Sequence, residues 1–205
     1  MGMNWKVEPL DLDNVDDVTK AAYLRVAQHS HNEAIPADGL VPEDELWFAV
    51  PNLGAGNRKH YWGVWNDDRT ELVATMCVEW EDYEDNREAS WIEVDVMPDY
   101  RRQKVGAALA QVGIEFAKEN GRPLVGFDAC SHVPAGWEFL IAIGAQHKLT
   151  GRFSMLKFAD VDRPLLAGWV ARAAERAQDY ELSRWDGPCP DEFADAFVNE
   201  PNVMN

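Results

Sequence analysis

The sequence predicts an α/β fold, a mixed central sheet flanked by helices, with a helix-strand appendage near its C-terminal end. Three stretches predict it. β-rich runs between His60 and Met97 are separated by polar turn clusters. A strand, a basic turn and a helix follow one another from Trp91 to Leu109. After Asp160 a long pattern rich in Ala and Arg reads as a separate helix. A chain of 205 residues suffices for one good core, or for one domain plus an appendage.

Taken in order, Trp5 to Leu10 alternates as a short strand. A helix capped by Asp13 or Asn14 follows, with Val15, Val18, Ala22 and Val26 at helical spacing toward His29. Ser30 to Asn57 is rich in Pro, Gly and charge, with room for a short helix near Pro42 to Val50. His60 to Trp65 and Glu71 to Trp80 flank the polar cluster Asn66 to Thr70 as a hairpin. Ala89 to Met97 is the third strand of this meander, reached through the acidic loop Glu81 to Glu88. The helix from Val105 to Asn120 stops at Gly121. Pro123 to Ala129 is short and apolar enough for a central parallel strand. Pro134 to Ile143 reads as a helix ending at Gly144, with Gln146 to Leu149 and Phe153 to Phe158 as a final pair of strands. Residues 4–160 are expected to form the main domain. Residues 161–205 are expected to add a helix over Arg163 to Tyr180, a strand over Tyr180 to Trp185 and a short helix from Asp191.

The segment with the most chemical content is Trp91 to Leu109. Its strand stops at Pro98, which cannot donate to a ladder, and its helix places Val105, Leu109, Val112 and Phe116 on one side. The first turn of such a helix carries free backbone N–H groups and the positive end of the macrodipole. With Arg101, Arg102 and Lys104 beside it, this junction suits an anion, above all a pyrophosphate.

The run Val96-x-Pro98-x-Tyr100-Arg101-x-Gln103-x-Val105-Gly106-x-Ala108-Leu109 resembles the acetyl-CoA pyrophosphate loop of GNAT-type N-acyltransferases, usually V-x-P-x-Y-R-G-x-G-I-G-x-A-L. The order of elements over residues 4–160 is that of the GNAT fold. The resemblance implies acetyl-CoA as cosubstrate, its pantetheine arm on the backbone of Val94, Val96 and Met97. Its pyrophosphate would lie on the backbone of Gln103, Lys104, Val105, Gly106 and Ala107, assisted by the side chains of Arg101 and Arg102. The chain departs from the family's signature at Lys104, which replaces a glycine. A side chain there is expected to fit only if φ stays negative.

Acetyl transfer to an amine also needs a base. Alternation puts Glu93 and Asp95 on one strand face with Trp91 and Met97, and Ile92, Val94 and Val96 on the other. Two neighbouring carboxylates raise one pKa toward a useful value. Glu93 is the first candidate, Asp95 its partner and Glu79 an alternate; half-solvated polar positions are the competing reading. The family's general acid, a tyrosine four residues before the glycine that ends the last helix, falls here on Leu140, and its asparagine on Val133. Cys130, Ser131 and His132 are the nearest polar groups.

Composition excludes several classes. A net charge of −17 disfavours nucleic acid and anionic membranes and favours a cationic small-molecule amine as partner, although solubility alone explains such a charge equally well. No apolar run is long enough for a membrane span and no signal peptide is visible, so a cytoplasmic location is expected. No metal is expected: Cys77, Cys130 and Cys189 have no ligand spacing, and His29 and His31 lack a third partner. The tail from Tyr180 repeats the way the chain begins, as in tandem members of the family. A homodimer, docking to a second GNAT-like domain and a C-terminal strand completing one sheet all stay open. The rival to an enzyme is a catalytically inactive GNAT-fold scaffold.

Overall fold

The computed structural model describes residues 5–48, 50, 56–82, 87–152 and 154–199. The chain divides into two compact units, Met1–Lys148 and Leu149–Asn205, a boundary earlier than the one expected at Asp160.

The first unit is built on a five-stranded sheet in the order β1-β2-β3-β4-β5: Val7–Leu10, Asn57–Trp65, Leu72–Glu81, Ala89–Val96 and Leu124–Gly126. The first four strands pair antiparallel and β5 runs parallel to β4. The expected hairpin and meander are therefore present. Strand β5 is parallel as expected but lies at the sheet edge, not in its centre. Three residues of it pair with β4.

Helix α1 (Asp17–Ala34) starts later and runs further than its pattern suggests. Its cap is Asp16, whose carboxylate accepts from the Thr19 amide at 2.8 Å, while Asn14 bonds back to Asp11. The short helix α2 (Glu43–Phe48) lies where the sequence left room for one. Helix α3 (Val105–Glu119) covers one sheet face, where Val105, Leu109 and Ala117 meet Ala74, Met76, Val78 and Ile92 in the core. Helix α4 (Pro134–Ala142) closes the unit.

The final strands expected at Gln146 to Leu149 and Phe153 to Phe158 are not found among the described residues. Leu149, Leu156 and Phe158 are largely exposed there. A run becomes a strand only where a neighbour accepts its backbone bonds. In the second unit, α5 (Arg163–Arg176) is capped by Asp162, and α6 (Asp191–Asn199) presents Phe193 to a stacked Trp185, ring centroids 5.6 Å apart. The strand expected over Tyr180 to Trp185 is absent for the same reason, with Leu182 fully exposed. No helix among the described residues is long and apolar enough to cross a membrane.

The seating of α3 depends on Gly113, since a Cβ there would come within 2.7 Å of Met76 Sδ and 3.1 Å of Ile92 Cδ1. Overpacking costs about 1–3 kcal/mol, and alanine returns up to about 1 kcal/mol of helix propensity. Gly113→Ala is therefore expected to lose about 1 kcal/mol in urea denaturation. A variant as stable as the parent would contradict this packing.

Candidate active site

Strand β4 is shared by two different environments. Its even residues, Ile92, Val94 and Val96, pack with α3, while Glu93 and Asp95 face the other side, where Ser30 of α1 donates a very short hydrogen bond to Asp95. Antiparallel register puts Cys77 opposite Glu93 and Thr75 opposite Asp95, with Tyr61 opposite Cys77. Tyr23 of α1 meets Tyr61 edge-on at 5.9 Å. A polar and aromatic face results, with Glu79 and its ion-pair partner Lys59, 3.4 Å away, one row further on.

Charge is strongly frustrated on this face. Glu93 has an exposed surface, yet its carboxyl is partly desolvated and lies near the carboxylates of Asp95 and Glu79. Desolvation first, then the charges of Asp95 and Glu79, push its pKa up to about 7. Asp95 is also raised, because its burial outweighs the help it receives from Ser30 and Arg101. Burial pushes the Cys77 thiol up to about 12, so it stays protonated, and drives the phenols of Tyr23 and Tyr61 upward too.

The other edge of β4 is equally distinctive. It pairs with β5 only from Ala89 to Trp91, and the two strands part beyond that point. The Met97 amide donates to Val73 at 2.9 Å, so hydrogen-bonding groups of the odd residues face β3. Those of Ile92, Val94 and Val96 therefore face the gap, where no β5 residue is paired with them. Met97 is different, with its N–H on Val73 and its carbonyl accepting from Tyr100.

After β4 a turn at Pro98–Tyr100 leads to the basic residues. Arg102 has φ 62° and Lys104 φ 67°, both left-handed. The expectation that lysine would need a negative φ is thus overturned: the side chain is accepted in the glycine conformation, and strain is the consequence. Each such residue costs on the order of 1–2 kcal/mol. The family's usual form has glycine at both places, so the signal for Arg102 was present in the sequence beside the one for Lys104. Anchors on all sides hold the loop in this shape. Trp5 Nε1 donates to Gln103 O at 2.8 Å, Gln103 Nε2 to Asp99 O at 2.8 Å, and Tyr100 Oη to Glu71 at 2.9 Å.

Lys104 begins α3 without a side-chain cap, and the first helical bond is Ala108 N–H to Lys104 O. The N–H groups of Val105, Gly106 and Ala107 have no intrahelical partner. Gly106 keeps the approach narrow, as a Cβ would lie 3.3 Å from Phe139 and 3.6 Å from Val96. The cationic side chains divide. Arg102 is largely exposed, 3.5 Å from Glu138, and Lys104 is exposed. Arg101 turns inward, its Nε on Val96 O at 2.9 Å and its Nη1 on Glu33 at 3.0 Å.

At the family's tyrosine position Leu140 is buried, so no phenol is offered there. Cys130 and His132 instead gather at the end of α1, where Cys130 Sγ lies 3.4 Å and His132 Nδ1 3.2 Å from Ala34 O. No group of three or more metal-ligating side chains occurs among the described residues.

A strand that splays from its parallel neighbour and feeds an uncapped helix through a left-handed basic turn is the shape of a CoA-binding acyltransferase. The model of the acetyltransferase (GNAT) family matches residues 24–130, and the chain belongs to this family of acetyl-CoA-dependent transferases. No match was found among curated proteins. Similar solved structures include an acetyltransferase from Trypanosoma brucei, 18% identical, TM-score 0.52, covering 74% of this chain and 100% of that one. An aminoglycoside acetyltransferase from an uncultured soil metagenomic sample, in complex with sisomicin, is 14% identical with TM-score 0.56, covering 75% and 97%. Glucosamine-6-phosphate N-acetyltransferase from Arabidopsis thaliana is 15% identical with TM-score 0.52, covering 75% and 99%. At these identities the likeness is one of fold.

Glycine at position 104 removes a Cβ from a left-handed residue. Lys104→Gly is expected to raise stability by about 1 kcal/mol, read as a higher melting temperature, whereas Lys104→Ala leaves the strain in place. Equal melting temperatures for the two variants would contradict a strained turn.

Proposed function

We propose that the chain transfers acetyl from acetyl-CoA to a primary amine of a small, cationic acceptor by direct attack. The observation that carries this reading is the edge of β4 that parts from β5 after Trp91, with Glu93 and Asp95 side by side on the strand beside that gap. The pantetheine arm lies along the backbone of Val94 and Val96, and the pyrophosphate on the N–H groups of Val105, Gly106 and Ala107, with Arg102 and Lys104 adding charge. Glu93, supported by Asp95, takes a proton from the ammonium group directly or through water. The freed amine attacks the thioester carbonyl, and a tetrahedral oxyanion forms against strand N–H groups near Val96. The C–S bond then breaks and the thiolate takes a proton from water or a nearby donor. A thiolate leaves without strong acid assistance, which suits a site with Leu140 in place of tyrosine.

The acidic character of the chain, and of Glu79, Glu93 and Asp95 in particular, favours a cationic acceptor. The aminoglycoside and glucosamine 6-phosphate enzymes among the similar structures act on amines of small molecules. A non-catalytic scaffold draws support from Leu140 in the tyrosine position and from Lys104 in the glycine position.

The test is thiol release from acetyl-CoA with a panel of small primary amines. Amine-dependent release is expected, its rate rising with pH through about 7 as Glu93 ionises. Glu93→Gln should lose that rise and run about 100-fold slower at pH 7. Because the fold holds the Glu93 proton above the ordinary carboxylate range, the stability it contributes is complete at low pH and lost as pH rises through about 7. Glu93→Gln should therefore be at least as stable as the parent at pH 8, which separates lost activity from lost structure. No amine-dependent release, or a parental pH profile in the variant, would overturn this reading.

A further inference from the structure

We propose that Arg101 is a positioning residue that locks helix α1, which borders the Glu93 face, to the cosubstrate loop, and is not a ligand of the pyrophosphate. This rests on the functional reading above and concerns the same site. Arg101 belongs to the loop in sequence, yet its side chain leaves the loop's outer surface. Nε donates to Val96 O at 2.9 Å, Nη1 to Glu33 Oε1 at 3.0 Å, and Nη2 makes a short contact with Glu33 Oε2. Such a two-pronged pair fixes direction as well as distance. The Arg101 side chain is only 25% exposed and that of Glu33 29%, against 83% for Arg102, so the guanidinium is not free to face a phosphate.

Three elements meet at this pair. Val96 O belongs to the splayed edge of β4, Arg101 immediately precedes the left-handed turn, and Glu33 lies in the last turn of α1. One turn back on α1, Ser30 donates to Asp95, and one residue beyond Glu33 the Ala34 carbonyl receives Cys130. His29 Nε2 lies 3.3 Å from Glu33, and Asp95 faces the same group of charges from β4. The guanidinium holds the Glu33 carboxyl below the ordinary carboxylate range against its desolvation, so the pair is charged near neutral pH. The segment 29–34 is thus held to the strand that presents Glu93 and to the loop that receives the cosubstrate. Ordering that loop around CoA orders the end of α1 through Arg101, and by linkage an acceptor that settles α1 tightens CoA.

Glu33→Gln keeps the shape of the side chain and removes its charge. Two readouts apply to it, to Arg101→Gln and to the double variant. Hydrogen exchange with and without CoA is expected to show slowing over residues 29–34 in the parent and none in the variants. With the best amine of the panel, the amine KM is expected to rise about 5- to 10-fold, with the Kd for acetyl-CoA alone changed less than about 2-fold in all variants and the double variant no worse than either single one. If Arg101→Gln weakens acetyl-CoA about 10-fold or more while Glu33→Gln does not, Arg101 is a phosphate ligand and the proposal falls. Binding of CoA without slowing in 29–34 of the parent would also overturn it, even with amine turnover intact. Slowing without turnover on any amine would uphold it while the functional reading fails, and absence of CoA binding would end both.

Discussion

The turn between β4 and α3 is the constraint on which the rest of the site depends. To bring the strand's free edge and the helix's free N–H groups to one ligand, the chain must reverse within a few residues, and it does so through left-handed Arg102 and Lys104. Glycine would adopt this backbone without strain. Here the strain is held by surrounding anchors: Trp5 on the Gln103 carbonyl, Tyr100 on Glu71, and Arg101 on Val96 and Glu33. Two cationic side chains therefore stand where the family's form has none, a local positive charge in a protein of net charge −17.

The two faces of the sheet divide the labour. On the α3 side Met76, Val78, Ile92 and Leu109 are almost fully buried and supply the hydrophobic stabilisation. On the α1 side the sheet presents Glu93, Asp95, Glu79 and Thr75, and the carboxylates of Glu93 and Asp95 are destabilised as anions. Such frustration, located beside an opening in the sheet, is what the proposed role of Glu93 as base draws on. The helix that borders this face is tied through Glu33 and Arg101 to the turn that starts α3 on the other.

Much of this was legible in the residues. Period-two alternation placed Glu93 and Asp95 opposite Ile92 and Val94, and Pro98 marked where the strand stops. The loop could be read from Val96 to Leu109 because its residue types answer to a backbone shape. What escaped was settled by tertiary contacts. Arg101 resembles its basic neighbours in sequence, and the Val96 carbonyl together with Glu33, 68 residues away, turns it inward. Lys104 reads as forbidden in a left-handed turn because sequence shows the strain and not the anchors that hold it. The strands expected beyond Gln146 and at Tyr180 have no ladder partner among the described residues, and with no strand beyond it there β5 is the sheet edge.

The central claim is that this loop, despite Arg102 and Lys104, receives the pyrophosphate of acetyl-CoA. Isothermal titration of the folded protein with acetyl-CoA tests it most directly. The account predicts one site per chain with a dissociation constant on the order of micromolar, weakening as salt is raised. A folded protein that gives no binding heat at millimolar acetyl-CoA, and no thermal shift, would contradict it.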